Sequence, residues 1–132
     1  MGMAARLGIK PGDVILESGK REDADDALRS EIFAAAGAAP VDDGSQEVVD
    51  VVLLWWREDD GDLVDSLVDS LTFLDAQGVI WLFTPKMGRA GHVEPSDIQE
   101  SVQTAGLTQT STFAASAQWS ATKLTAPKGG RR

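Results

Sequence analysis

Six basic side chains stand where a small anion could be held. Lys20 and Arg21 follow one short apolar run, Arg57 follows a second, and Lys86, Arg89 and His92 follow a third. Each group lies among glycines, prolines or acids just past the apolar residues, so all three belong to loops. Fixed positive charge next to backbone amides at helix starts is chemistry that binds a phosphate or carboxylate. Gly19 would let backbone approach such a ligand closely, and Trp56 would offer an aromatic face beside it. A reading without a ligand stands next to this one. Glu22, Asp23, Glu58 and Asp59 are near these bases in sequence, and loop charges are commonly paired or solvated.

Catalytic groups are scarcer. His92 is the one histidine and the only conventional proton shuttle near neutrality. No nucleophile or orienting carboxylate stands at a spacing that gives it a role, and Ser18, Thr84 and Ser96 lie outside any Gly-x-Ser-x-Gly pattern. The acids of 58–62 lack the ligand spacing and closing glutamate of a calcium loop. With no cysteine and a single histidine, thiolate zinc sites and histidine-rich metal sites are excluded. The residues therefore predict no catalytic constellation, no metal and no cofactor.

The elements that position these loops centre on Val48–Lys86. Val48–Trp56 carries one charge, Asp50, and is too short and too rich in β-branched and aromatic residues for an ordinary helix. It reads as a strand covered on both faces, with Trp55 and Trp56 packing under opposite helical layers or forming an exposed platform. Asp60, Gly61 and Asp62 start a helix whose stripe is Leu63, Val64, Leu67, Val68, Leu71 and Leu74, with Gly78 as its C-terminal cap. Val79–Phe83 is the next strand, giving a right-handed βαβ unit. Upstream, a turn at Lys10-Pro11-Gly12-Asp13 leads into a strand at Val14–Leu16. A helix over Asp23–Ala36 follows, then a loop through Pro40 and Asp42-Asp43-Gly44, which makes a second βαβ unit. Downstream, Pro95 opens a helix that buries Ile98, Val102 and Ala105 and ends at Gly106. Leu107–Ala114 and Trp119–Thr125 form an antiparallel pair, the later strand inserted into the sheet. Three parallel strands would then bring the three basic loops to one edge, where open α/β sheets bind ligands.

The chain of 132 residues is the size of one domain, 1–132, with flexible ends at about 1–5 and 127–132. No apolar window approaches a bilayer span and no secretory signal is evident, so the expected setting is the cytoplasm. Net charge is −9, and residues 22–75 hold sixteen acids against two bases. That acidity opposes general nucleic-acid binding and keeps the surface solvated or ready for a basic partner.

Taken together, VVDVVLLWWREDDGDLVDSL, GVIWLFTPKMGRAGHVEPSDI, TAGLTQTS and WSATKL are very similar to the pattern of a family of small, mainly actinobacterial proteins, domain of unknown function 3052. The likeness runs from Leu7 to about Leu124, and that family brings no activity with it. The order of elements also resembles a trimmed class I methyltransferase fold. LGIKPGDVILESG looks like its first strand and glycine-rich loop, DVVLLWW like its fourth strand, GVIWLFTPK like its fifth, and the closing pair like its sixth and seventh; the second and third are missing. The resemblance implies a three-layer, Rossmann-like α/β sandwich with three parallel strands, a C-terminal antiparallel pair and about three helices. It also implies a loss. Gly19 stands alone with Lys20-Arg21 where another glycine is expected, and the acid that holds the cofactor ribose would follow an absent strand. The sequence thus points to a non-catalytic regulatory or protein-interaction module with an unknown protein partner, or a homodimer through a sheet edge such as 107–125. The alternative is a binder of a small anionic or nucleotide-like ligand, or a weak enzyme, using Gly19, Lys20, Arg21, Trp56, Arg57, Lys86, Arg89 and His92.

Overall fold

The long apolar run lies at the middle of the molecule because it has structure on every side. In a computed structural model that describes residues 2–41 and 47–126, β1 (Ile15–Ser18), β2 (Val49–Trp55) and β3 (Leu74–Pro85) are parallel neighbours. β4 (Thr108–Ala114) and β5 (Trp119–Thr125) are antiparallel, and β5 is inserted against β3, giving the order β1-β2-β3-β5-β4. The Asp42-Asp43-Gly44 turn and the tail from 127 lie outside the described residues.

Helices cover both faces, as the sequence predicts. α1 (Met3–Arg6) and α2 (Asp26–Ala36) lie on one, α3 (Leu63–Phe73) and α4 (Pro95–Ala105) on the other. Successive β2 residues alternate between the two cores. Val51, Leu53 and Trp55 pack with Leu28 and Ile32, while Val52, Leu54 and Trp56 pack with Leu67, Ile98 and Val102. That explains a strand with no polar face. Trp55 and Trp56 are both buried, one under each layer, so neither is an exposed platform. Among the described residues no helix is long and apolar enough to cross a membrane.

Four details correct the sequence reading. Residues 3–5, expected within a flexible end at about 1–5, belong to one helical turn, Met3–Arg6, so the described residues hold four helices; Ala4 is buried and its N–H donates to Glu31 at 2.9 Å. α3 ends at Phe73, and Gly78 is inside β3 instead of capping the helix. Leu74 already pairs with Val49, and a Cβ at Gly78 would sit 2.6 Å from Leu74 Cδ1 and 2.9 Å from Asp50 O, so close packing demands this glycine. Val68, placed on the buried stripe, is 46 % exposed. Val68→Gln should therefore change unfolding free energy by less than about 0.5 kcal/mol, whereas Leu67→Ala, which empties a fully buried site, should cost about 3 kcal/mol in chemical denaturation.

The fourth detail concerns topology. Val41 makes a single parallel bridge with Leu16, and its N–H donates to Ile15 O at 2.8 Å on the side of β1 away from β2. Among the described residues, this one bridge stands where the sequence reading found the second strand missing. This satisfies the handedness rule. Crossovers on opposite faces stay right-handed only if they travel in opposite directions across the sheet. α2 leads outward from β1 to Val41, while α3 leads from β2 to β3. The point where direction reverses lies between β1 and β2, and the crevice beyond their carboxyl ends is where this architecture binds ligands.

Candidate functional site

At that crevice the backbone of one loop is pressed against the end of the neighbouring strand. Gly19 has φ +77°, and a Cβ there would meet Trp55 O at 2.3 Å. Arg57, two residues past β2, turns into the gap and is only 3 % exposed. Its Nη1 donates to Gly19 O at 2.8 Å and reaches Asp60 Oδ2 at 3.3 Å. Its Nε donates to Asp23 Oδ2 at 3.0 Å, and its Nη2 donates to the other oxygen of that carboxylate. The same residue's backbone N–H donates to Asp60 Oδ2 at 2.9 Å, and Arg21 bonds the second Asp60 oxygen. One arginine thus ties the first loop, the second loop and the approach to α2 together.

Aromatic rings close the arrangement from below. The Arg57 guanidinium carbon lies 5.3 Å from the Trp119 ring centroid, and Trp119 Nε1 donates to Asp23 O at 3.2 Å. Trp55 stacks on Phe83 with centroids 4.5 Å apart and meets Trp119 edge-on at 4.9 Å. Its indole N–H donates to Glu17 at 2.9 Å, and Glu17 also takes Arg29 Nε and Nη2 at 2.6 and 2.7 Å. The rings and the two arginine–carboxylate groups form one polar-on-aromatic cluster.

The electrostatics agree with the geometry. Burial alone would push the Arg57 guanidinium down, but the hydrogen bonds it donates to Asp23 and Asp60 outweigh it and hold the group more firmly cationic than usual. The hydrogen bond from Arg57 lowers the Asp23 carboxyl against the opposing effect of its burial. Glu17 likewise raises Arg29 through its hydrogen bonds. A carboxyl depressed in the folded state stabilises above its unfolded pKa and loses that contribution as pH falls through the folded one. Asp23 therefore contributes fully at neutral pH and progressively less below about pH 4. Thermal melts of Asp23→Asn should start lower at neutral pH and fall less steeply than wild type on acidification.

Of the other predicted residues, Arg21 joins this network through Asp60 and Arg89 shares the Trp119 ring with Arg57, while Trp56 lies elsewhere. Lys20 and Arg21 are exposed, with Arg21 turned to Asp60. Trp56 lies on the opposite face, in the core of α3 and α4. Lys86 meets Gln118 O through its backbone N–H at 3.1 Å. Arg89 donates to Gln118 O at 3.1 Å, and its guanidinium carbon lies 5.9 Å from the Trp119 ring centroid. His92 Nδ1 donates to Pro85 O at 2.9 Å, and its Nε2 lies 3.9 Å from Glu94. With Thr84, Thr122 and Ile98 it lines a small cavity of about 90 Å³ on the α4 side. Among the described residues, the acids that engage Arg21 and Arg57 are Asp23 and Asp60, not Glu22, Glu58 or Asp59. Asp60, Glu17 and Trp119 were missed as site residues. The available signals were an acid three places after Arg57, and a glutamate closing an apolar strand. Among the described residues no group of three or more histidine or acidic side chains could hold a metal ion.

Comparison with known proteins follows the same lines. A family model for a protein of unknown function, DUF3052, matches residues 4–128. Uncharacterized proteins of Mycobacterium tuberculosis and Mycobacterium bovis are each 49 % identical over 125 residues, covering 95 % of this chain and 78 % of theirs. Among solved structures, a TehB-like SAM-dependent methyltransferase from Corynebacterium glutamicum superposes with TM-score 0.57 at 16 % identity, over 96 % of this chain and 88 % of that one. A 1,6-didemethyltoxoflavin-N1-methyltransferase from Burkholderia thailandensis gives 0.60 at 15 % identity, over 96 % and 75 %. Magnesium protoporphyrin IX methyltransferase from Synechocystis, solved with bound SAM, gives 0.58 at 12 % identity, over 93 % and 74 %. At these identities the likeness concerns the fold.

Proposed function

This chain belongs to the family of proteins of unknown function DUF3052, and from that premise we propose that it acts as a non-catalytic protein-interaction module on a methyltransferase-like fold. The observation that carries the reading is Arg57. Its side chain fills the gap at the reversal point, and Gly19 offers that gap a carbonyl already bonded to it. The residues do not fit the SAM carried by the magnesium protoporphyrin IX enzyme. A single glycine is followed by Lys20-Arg21, and the Arg57 guanidinium, bonded to Gly19 O, takes the space beside that glycine. No step of methyl transfer is therefore assigned to this chain.

A surface feature supports the interaction half of the reading. The outer side of α3 presents Asp62, Asp65 and Asp69 to solvent with Val68 among them, a combination that suits a basic partner with an apolar contact. Calorimetric titration with SAM and S-adenosylhomocysteine should give no heat at millimolar ligand. Saturable binding of either at micromolar concentration, abolished by altering Gly19, would overturn the proposal. Cross-linking in the source cell followed by mass spectrometry should place a partner's lysines against α3.

A further inference from the structure

The sheet's open end has an unusual surface. Residues 101–122 contain no charged side chain in a chain that is 25 % charged, where a stretch of that length would hold about five charges. β4 lies within it, pairs among the described residues only with β5, and exposes Thr108–Thr112 and Ala114. Edge strands that must stay single are blunted with lysine, proline or an inward charge, and β4 has none of these. It carries one irregularity, a register shift between Gln109 and Ser111. The opposite edge differs: β1 is partly covered by the Val41 bridge. Beside β4 runs a groove of about 560 Å³ against α4, lined by uncharged groups including Gln99, Gln103, Gln109, Thr110 and Thr112.

We infer that β4 is the contact between two copies of this chain, pairing antiparallel about a two-fold axis so that the two five-stranded sheets join edge to edge. Charge selects this occupant. Two copies at net −9 each repel through the acids concentrated in 22–75, while the neutral edge lets them meet without opposing like charges. Threonine, serine and glutamine both donate and accept hydrogen bonds, so the surface complements itself as an isologous contact requires. The segment Ser111–Ala114, past the register shift, supplies the regular ladder, and glutamines of each copy reach the other's groove. The contact uses none of the groups hydrogen-bonded to Arg57 and holds whether or not the crevice takes a ligand.

Sedimentation equilibrium of the full chain at sub-millimolar concentration should give twice 14.0 kDa, and β4 amides should be protected in hydrogen exchange. Ser111→Lys brings like charges together across a two-fold axis and should weaken association at least about tenfold. Because Ser111 is exposed, its melting curve measured in the monomer range should match wild type. A wild-type monomer with freely exchanging β4 amides overturns the inference and leaves the edge to an extended segment of a different protein. A dimer whose affinity is unchanged by Ser111→Lys overturns it equally.

Discussion

Arg57→Ala is expected to lower the thermal midpoint by about 10 °C, corresponding to about 3 kcal/mol for a domain of this size. The substitution deletes one ion but leaves others where its guanidinium held them. Asp60 has its side chain 7 % exposed and loses the group bonded to its Oδ2, keeping only backbone and Arg21. Gly19 O loses its donor as well. Asp23 is 42 % exposed and regains water, which keeps the cost at the lower end of the range for broken buried pairs. Arg57→Lys should recover little, because one ammonium cannot reach Asp23 bidentately and Gly19 O together. Circular dichroism melts of both variants check this. A midpoint within 2–3 °C of wild type for Arg57→Ala, below about 1 kcal/mol, would mean the pairs are worth no more than surface contacts.

Gly19→Ala should be at least as damaging, at about 3 kcal/mol in urea unfolding, through the backbone instead of charge. A methyl at this position meets Trp55 O at 2.3 Å, with Trp55 C at 3.3 Å, and neither belongs to a side chain that can rotate away. Relief would require β1 and β2 to part at their carboxyl ends, drawing Gly19 O off Arg57. Gly88 provides the comparison. Its φ is +90° but no atom lies within 4 Å of an added Cβ, so Gly88→Ala should show only the conformational cost, about 1 kcal/mol. Equal losses in the two variants would mean that the close approach to Trp55 contributes nothing.

Local signals located most of the fold. Ser116-Ala117-Gln118 separates β4 from β5, Pro95 and Gly106 bracket α4, and β2, with Asp50 as its one charge, announces cover on both faces. The sequence reading failed where a local signal has two physical meanings. Gly78 fits a helix cap as well as a strand crowded by Asp50 O, and only the register between β2 and β3 separates them. Val68 satisfies the helical period, yet the period cannot tell how wide a stripe the sheet covers. Val41 is one apolar residue in a loop, too short to read as a strand. At the candidate site the charges were legible and Asp23 stood among the acids that could pair with them, but which base it meets was not. Arg57 follows a strand toward the ligand-binding edge, which suits an anion binder and an internal tie equally. The decisive residue, Asp23, is 34 positions away along the chain.

The four indoles have a practical consequence. All are buried, and tyrosine is absent, so near-ultraviolet excitation at long wavelength reports almost wholly on the interior. Trp55 and Trp119, in contact with each other beneath Arg57, give the fluorophore that would sense the crevice. A molecule that displaced Arg57 should redden and dim the emission. A protein that docked only on the outside should leave the colour of that light unaltered, so one cuvette can tell the two kinds of encounter apart.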